Sequence, residues 1–555
     1  RGALATAGGL TVHAGELTNV DGTIQSASED GMTVTADGGL VNDGGSIEGN
    51  GAIALNAQSM TNADGVVQTQ KAITATVADT LDNSGGTFAS GDALTLKVGT
   101  LRNLDTFDGG ATDPSAQKGV FGRQVAIEAA TLDNTRGQIQ AGEAADLTGT
   151  NLSNAGGLIG GVGAVTVNAA TFDNAGGSLI QYGESGALNL TATQGLNNPA
   201  GGVTGAEGPA TLAAGTLNNS GGTVFARHGL EVGTDGDLIN RDAGLLQSGG
   251  AMTIRAGTTF DNSGGALDAT GAAQISAANV SNVGGQVLAG AADNAEAALT
   301  ISTLGVLDNR GGTVASRGGD VALQAAAIDN RDAGLLVAQR DLRLGIGSVN
   351  NAGGTTYATR HLRYENPAGT LDNSGGLFGS GDTTWLNLAG LVNANNGQID
   401  AGTLWLALPA LDTTGGEIRA DALDLNVGSL TGTGRLFGGQ GLSLAFNGDF
   451  TYANGLRLES NGTLSLTVGG TFTNQGTWQT ASVLNIHAGN VINEGTLNAS
   501  NANGTGETHV TASGTIDNRT GASIEGDTVV LTANDVTNTG DITGNYIVID
   551  ANTLT

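Results

Sequence analysis

Cysteine is absent from the 555 residues, so neither a disulfide framework nor a thiolate metal site is available. Proline is nearly absent, at 5 residues, and aromatics make up only 3%. Without large rings a wide globular core is hard to fill, so the several ordinary domains that the length alone would suggest are not expected. Charged residues stand at 13%, about half the usual share. Positive charge is the scarcer sign: 21 Lys and Arg against 52 Asp and Glu leave a net charge of −31. Nucleic acid is therefore not an expected partner, because phosphate binding needs Lys and Arg. An acidic chain also stays soluble and resists self-association. No run approaches the roughly 18 consecutive apolar residues of a membrane-spanning helix, so no membrane span is expected. The chain opens Arg1-Gly2-Ala3, with neither an initiating Met nor a signal peptide, and reads as an internal piece of a longer protein.

What is present is glycine, 95 residues of it, together with 39% apolar residues that are mostly small aliphatics. That much apolar material is not a disordered composition; it suits a narrow, repetitive core. A repeat runs through the chain. Asn recurs at 19, 42, 62, 83, 103, 134, 154, 174, 198, 219, 240, 262, 282, 309, 330, 351, 373 and 393, mostly 19 to 23 residues apart, with clear later copies at 474, 493, 518 and 538. Two residues before the Asn stands an apolar residue such as Leu81, Leu152 or Phe172; five after it comes another, such as Phe88, Ile159 or Leu179. Seven and nine before it come alternating pairs such as Leu94/Leu96 and Val165/Val167. Period-two alternation marks strands with one buried face, and no helical period accompanies it.

Each repeat therefore holds three short strands separated by turns, and the Asn-x-Gly-Gly corner supplies residues that tolerate positive φ. Three strands and three turns in about 20 residues make one coil of a parallel β-helix. A single coil buries too few aliphatics to offset the entropy of ordering it, so coils must stack. The expected fold is all-β, a β-solenoid of about 25 coils with three short strands each. Stretched spacings mark inserts at Leu104–Gly119 (with Asp113-Pro114-Ser115), Gln181–Asn197, Ala289–Ala298 and Asn498–Glu507, which are expected to emerge as loops. After about residue 430 the corner loses a Gly, as in Asn474-Gln475-Gly476 and Asn493-Glu494-Gly495. Two regions of one solenoid are therefore expected, residues 1–430 and 431–555.

Repeats of the form Leu-Asp-Asn-Ser-Gly-Gly-Thr-Phe-Ala-Ser-Gly-Asp-Ala-Leu-Thr-Leu (Leu81–Leu96) resemble the haemagglutinin repeats of the filamentous haemagglutinin family. These are bacterial exoproteins of two-partner secretion that include adhesins and contact-dependent growth-inhibition effectors. The resemblance covers nearly the whole chain to about residue 430 and the rest more loosely. It implies a right-handed β-helix, exported through an outer-membrane transporter barrel and displayed on the surface of a Gram-negative cell. It also implies a host or neighbouring-cell glycan or protein receptor as partner. The family's Asn-Pro-Asn secretion motifs and Val-Glu-Asn-Asn toxin junction are absent from the chain. The repeats bring no catalytic residue with them.

Side chains that stand out each carry two readings. The repeated Asn residues look functional, yet stacked Asn side chains bond between coils as structural ladders. The Asp-Asn corners, Asp308 and Asp329 on neighbouring coils among them, could align carboxylates for Ca²⁺ or be solvated turn residues; calcium wants about six to eight oxygens, and no calcium-roll nonapeptide occurs. The five His residues share no spacing, and no hydrolase, zincin or phosphate-loop motif is present. No metal, cofactor or catalytic residue is expected. Arg360-His361-Leu362-Arg363-Tyr364-Glu365 is the densest charged and aromatic run, either a contact site or a solvated strand flank. Trp385 and Trp405 lie between inward positions on neighbouring coils, so both are expected to point outward. They form either a platform for a sugar ring or protein edge, or a shield over Gly-rich backbone. The expected function is a secreted stalk that presents a distal binding or toxin region and is itself a candidate adhesin. A polysaccharide-cleaving or glycan-binding β-helix is the alternative.

Overall fold

The computed structural model describes residues 2–107, 117–453, 455–500 and 503–555, and among them there are 57 strands and no helix. Asp113-Pro114-Ser115 lies outside the described residues. The chain divides into two compact units, one of residues 1–281 with 285–289 and one of 282–284 with 290–555. Each is a β-solenoid, a stack of coils joined by parallel strand pairing, with about 26 turns counted over the described residues of both. The corner change expected beyond residue 430 lies wholly inside the second unit.

A coil has three sides. In the first unit one side is Leu158–Gly161, and a turn then leads into Val165–Asp173. The longer strand shifts register against Leu188–Asn197 between Ala169 and Thr171, so it forms both the second and the third sides. Elsewhere these sides are separate strands, as in Ala210–Ala214 and Leu217–Asn218. The three short strands of each coil are thus present, with one corner often reduced to a bulge. Inward residues stack in columns. Leu81, Leu101, Leu132, Leu152 and Phe172 pair in register down the third side, all buried. Ile139, Ile159 and Leu179 do the same on the first side. Where Thr204 enters that first-side column, its hydroxyl bonds the side-chain oxygen of Asn198 at 3.0 Å, so the buried polar group is satisfied.

The two glycines of the corner do different jobs. In Asn154-Ala155-Gly156-Gly157 only Gly156 has positive φ, at 61°. The same place is held by Asp64 and Arg136, with φ of 51° and 50°. A side chain on Gly157 would instead collide with the main-chain oxygen of Asn134 in the coil below. Gly157→Ala is therefore expected to cost about 3 kcal/mol by forcing coils apart, and Gly156→Asn less than about 1 kcal/mol. Urea unfolding of the two variants checks this; similar losses would mean that φ, not coil spacing, sets the glycine requirement.

Behind each corner the Asn side chain is buried and bonded. Its Nδ2 donates to Oδ1 of the next Asn at 2.7–2.8 Å, from Asn19 through Asn240 in the first unit. The second unit carries the same ladder from Asn282 to Asn393 and again from Asn474 to Asn538. The bond from Asn103 to Asn134 is 2.7 Å although the two are 31 residues apart, so the insert between them leaves the ladder intact. The insert expected over Gln181–Asn197 is smaller than the spacing implies: Leu188–Asn197 is a strand that absorbs part of the extra length at its register shift, and the rest sits in the turn around Gly183–Gly186.

Between Asn393 and Asn474 the ladder is interrupted, with buried Thr413 in line after Asn393 and Tyr452 paired with Asn474. Aromatic packing fills this stretch. Phe446 stacks on Phe450 at 4.0 Å, Phe472 meets Trp478 at 5.4 Å, and Tyr452 stands edge-on to Trp478 at 5.1 Å. The Tyr452 hydroxyl donates to the main-chain oxygen of Leu456 at 2.7 Å. Large rings are few, but the core concentrates them where the Asn spine is missing.

Candidate functional site

The candidate site is built on the second side of four successive coils of the second unit, in strands Leu342–Asn350, His361–Asp372, Thr383–Val392 and Gln398–Asp412. Alternation turns Leu362, Leu386, Leu404 and Leu406 inward, so the residues between them face out. Parallel pairing sets Arg343, Arg363, Trp385, Trp405 and Asp424 in one outward column, each in register with the next. Trp385 and Trp405 thus lie on neighbouring coils as their spacing predicts. Trp405 is 49% exposed and Trp385 half-buried. Trp385 is partly covered because the Arg363 guanidinium lies 4.8 Å over its ring, while the His361 ring stands 5.6 Å away, tilted by 57°. Desolvation holds the Asp424 carboxyl above the usual range.

Tyr364 does not belong to this surface. It points inward, is 0% exposed, and donates its hydroxyl to the main-chain oxygen of Thr370 at 3.0 Å. Burial pushes its phenol up to about 12. The period-two alternation that turns Arg363 outward necessarily turns its neighbour inward, so the charged and aromatic run splits between surface and core.

The column extends beyond the residues singled out from the sequence, because Arg343 continues it and Arg340 and Arg360 flank it. The signal was present: Arg340-Asp341-Leu342-Arg343 and Arg360-His361-Leu362-Arg363 repeat Arg-x-Leu-Arg one coil apart. These arginines face Asp320 and Asp341, but loosely. Arg340 and Arg343 lie 3.6 and 3.7 Å from Asp320, and Arg343 and Arg360 lie 3.5 and 3.6 Å from Asp341. The buried Nε of Arg340, Oδ1 of Asp341 and Nδ1 of His361 have no hydrogen-bond partner. Arg343 lies between Asp320 and Asp341, with Arg340 beside the first carboxylate and Arg360 beside the second.

The corner aspartates are occupied otherwise. Their Oδ1 accepts the main-chain N–H two residues on, as Asp82 does from Ser84 and Asp173 from Ala175. Asp308 is held by Arg310 at 2.9 and 2.7 Å, and Asp329 by Arg331 at the same two distances. The hydrogen bond from Arg331 holds the Asp329 carboxyl below its ordinary range. Among the described residues no group of three or more His, Asp or Glu is placed to hold a metal ion. No helix among them is long and apolar enough to cross a membrane.

Comparison with known proteins agrees with the coil architecture. The chain is 29% identical over 446 residues to the deoxyribonuclease CdiA of Dickeya dadantii, covering 76% of this chain and 12% of that one. It is 28% identical over 205 residues to the tRNA nuclease CdiA-2 of Burkholderia pseudomallei, 32% of this chain and 6% of that one. To the toxin CdiA of Escherichia coli it is 30% identical over 227 residues, 32% of this chain and 7% of that one. The chain thus spans an eighth or less of the length of these relatives. No solved structure matches it. The haemagglutinin-repeat family model matches residues 1–44, 33–113, 120–200, 185–264, 247–311, 317–407 and 418–476, which between them cover most of the chain. By coil, corner and sequence alike, the chain belongs to the haemagglutinin-repeat family.

Proposed function

We propose that these coils are the stalk of a two-partner-secreted surface protein of a Gram-negative bacterium. In this reading the chain is exported through an outer-membrane transporter barrel and holds a distal binding or toxin region away from the cell. The observation that carries the reading is the spine of hydrogen-bonded Asn side chains, which coil after coil repeats a structural element and no chemical one. A stack held in this way is a spacer whose length is set by the number of coils. The toxin and nuclease names of the relatives fit activities carried outside such coils. Adhesion by the coils themselves is a second reading, favoured by the outward arginine and tryptophan column, and it is compatible with the first.

The test uses the full-length protein in its own cells. Antibody against the coils should label intact cells as strongly as permeabilised ones. Excising residues 134–153 removes one coil and brings Asn154 into the place of Asn134, so surface labelling should persist. Excising 134–143 removes half a coil and should abolish it. Labelling that appears only after permeabilisation overturns the proposal.

A further inference from the structure

We infer that the outward column Arg343–Arg363–Trp385–Trp405 is a binding site for an acidic polysaccharide lying along the stacking direction of the coils. This goes beyond the stalk reading and does not depend on it. Four of the chain's 21 basic residues fall between 340 and 363, in a protein of net charge −31. The ion pairs of Arg340, Arg343 and Arg360 with Asp320 and Asp341 are 3.5–3.7 Å long, beyond hydrogen-bond distance. Elsewhere arginines close on their carboxylates, as Arg310 does on Asp308 at 2.7 Å and Arg435 on Glu417 at 2.6 Å. Arg343 and Arg360 therefore keep guanidinium donors without a close acceptor, while Arg363 pairs with Glu365 at 3.0 Å and Arg340 reaches the main-chain oxygen of Ala295 at 3.5 Å; the four side chains are 35–60% exposed. Bidentate N–H donors without a close acceptor suit a carboxylate or sulfate ester.

Next along the column come the indoles, whose faces suit the C–H face of a sugar ring. Their in-strand neighbours are low, Thr383 and Thr403 on one side, Asn387 and Ala407 on the other, so the Trp405 ring stands clear, while that of Trp385 is shared with Arg363 and His361. Parallel strands repeat at about 4.8 Å, comparable with the length of one sugar unit, so successive coils present groups to successive residues of a chain. The charge of the whole protein does not forbid an anion here. Screening over about 8 Å at physiological salt leaves the local arginines in control. A ligand with charge as dense as nucleic acid is disfavoured, because its phosphates would run on past the arginines to Asp424 and the acidic remainder.

The chain's third tryptophan, Trp478, is 0% exposed, so changes in indole fluorescence on binding report on Trp385 and Trp405. Polygalacturonate and dextran sulfate serve as the carboxylate and sulfate probes, neutral dextran and a single-stranded DNA oligomer as the contrasts. At least one acidic polysaccharide should change the fluorescence and bind less tightly as salt rises, while dextran does not bind. Trp405→Ala should weaken binding about tenfold, as loss of one stacking contact implies. Arg343→Gln with Arg363→Gln should weaken it at least as much and flatten its salt dependence. Both variants should keep the parent melting temperature, because neither position fills the core. Arg123→Gln, an ion-paired arginine of the other unit, should bind as the parent does. The proposal is overturned by failure of both acidic polymers to bind, by equal binding of dextran, by tighter binding of the DNA, or by either variant binding like the parent.

Discussion

Replacing Val167 by Asp is expected to destabilise its coils by about 4–6 kcal/mol at neutral pH, among the largest effects one side chain can have. Val167 is fully buried between Leu147 and Leu190, in register on the coils to either side. A carboxyl there finds no donor, so its native pKa must rise by several units, each worth about 1.4 kcal/mol. Because that pKa lies above its unfolded value, the folded state binds the proton more tightly. Stability then falls as pH rises from about 4 towards the native pKa, and recovers on acidification. The neighbouring Thr166 faces outward between Asp146 and Asn189. Thr166→Asp meets only solvent and the Asp146 carboxylate, so it should cost less than about 1 kcal/mol, and salt should remove most of that. Urea unfolding across pH separates the two variants; equal losses would show that the inward phase is misassigned.

That phase was legible in the sequence because three independent signals agree. Leu152, Ile159 and the pair Val165/Val167 each keep a fixed distance from the corner Asn, and all are buried. Alternation with period two leaves no freedom once one inward residue is known. What was not legible depends on relations between coils. Trp385 and Trp405 could be matched because both were rare. Arg343 could be matched to Arg363 only by aligning Arg-x-Leu-Arg across an interval of 20 residues. Tyr364 was grouped with its charged neighbours because composition draws attention to a run, whereas the strand divides it residue by residue. Trp478 was legible as inward, four residues after Asn474, and it is fully buried, but the gathering of rings around it was not, because a low overall aromatic content says nothing about where the few rings lie. The distinct jobs of the two corner glycines needed the coil below, since the collision that excludes a side chain at Gly157 is with Asn134.

The second large effect is expected in the Asn ladder, and its direction makes it testable. Asn154 accepts from Asn134 at 2.7 Å and donates to Asn174 at 2.7 Å, to the main-chain oxygen of Gly157 at 3.3 Å and to that of Ser178 at 3.0 Å. Main-chain oxygens only accept, so the atom facing them must be the nitrogen, and the amide cannot be reversed. Every member within an unbroken run therefore donates forward and accepts from behind. Asn154→Asp keeps shape and keeps the acceptor for Asn134, but sets a carboxylate oxygen against three acceptors in a buried site. The cost is expected to be about 3–5 kcal/mol, comparable with a broken buried pair. Asn168 is the contrast, an exposed outward amide in register between Thr148 and Thr191 on the coils to either side. Asn168→Asp meets solvent, so stability should change by less than about 1 kcal/mol. Thermal melts of the two isosteric variants decide the matter. If Asn154→Asp is as mild as Asn168→Asp, the stacked amides are not a directional spine. The coils would then be held by aliphatic columns and strand pairing alone.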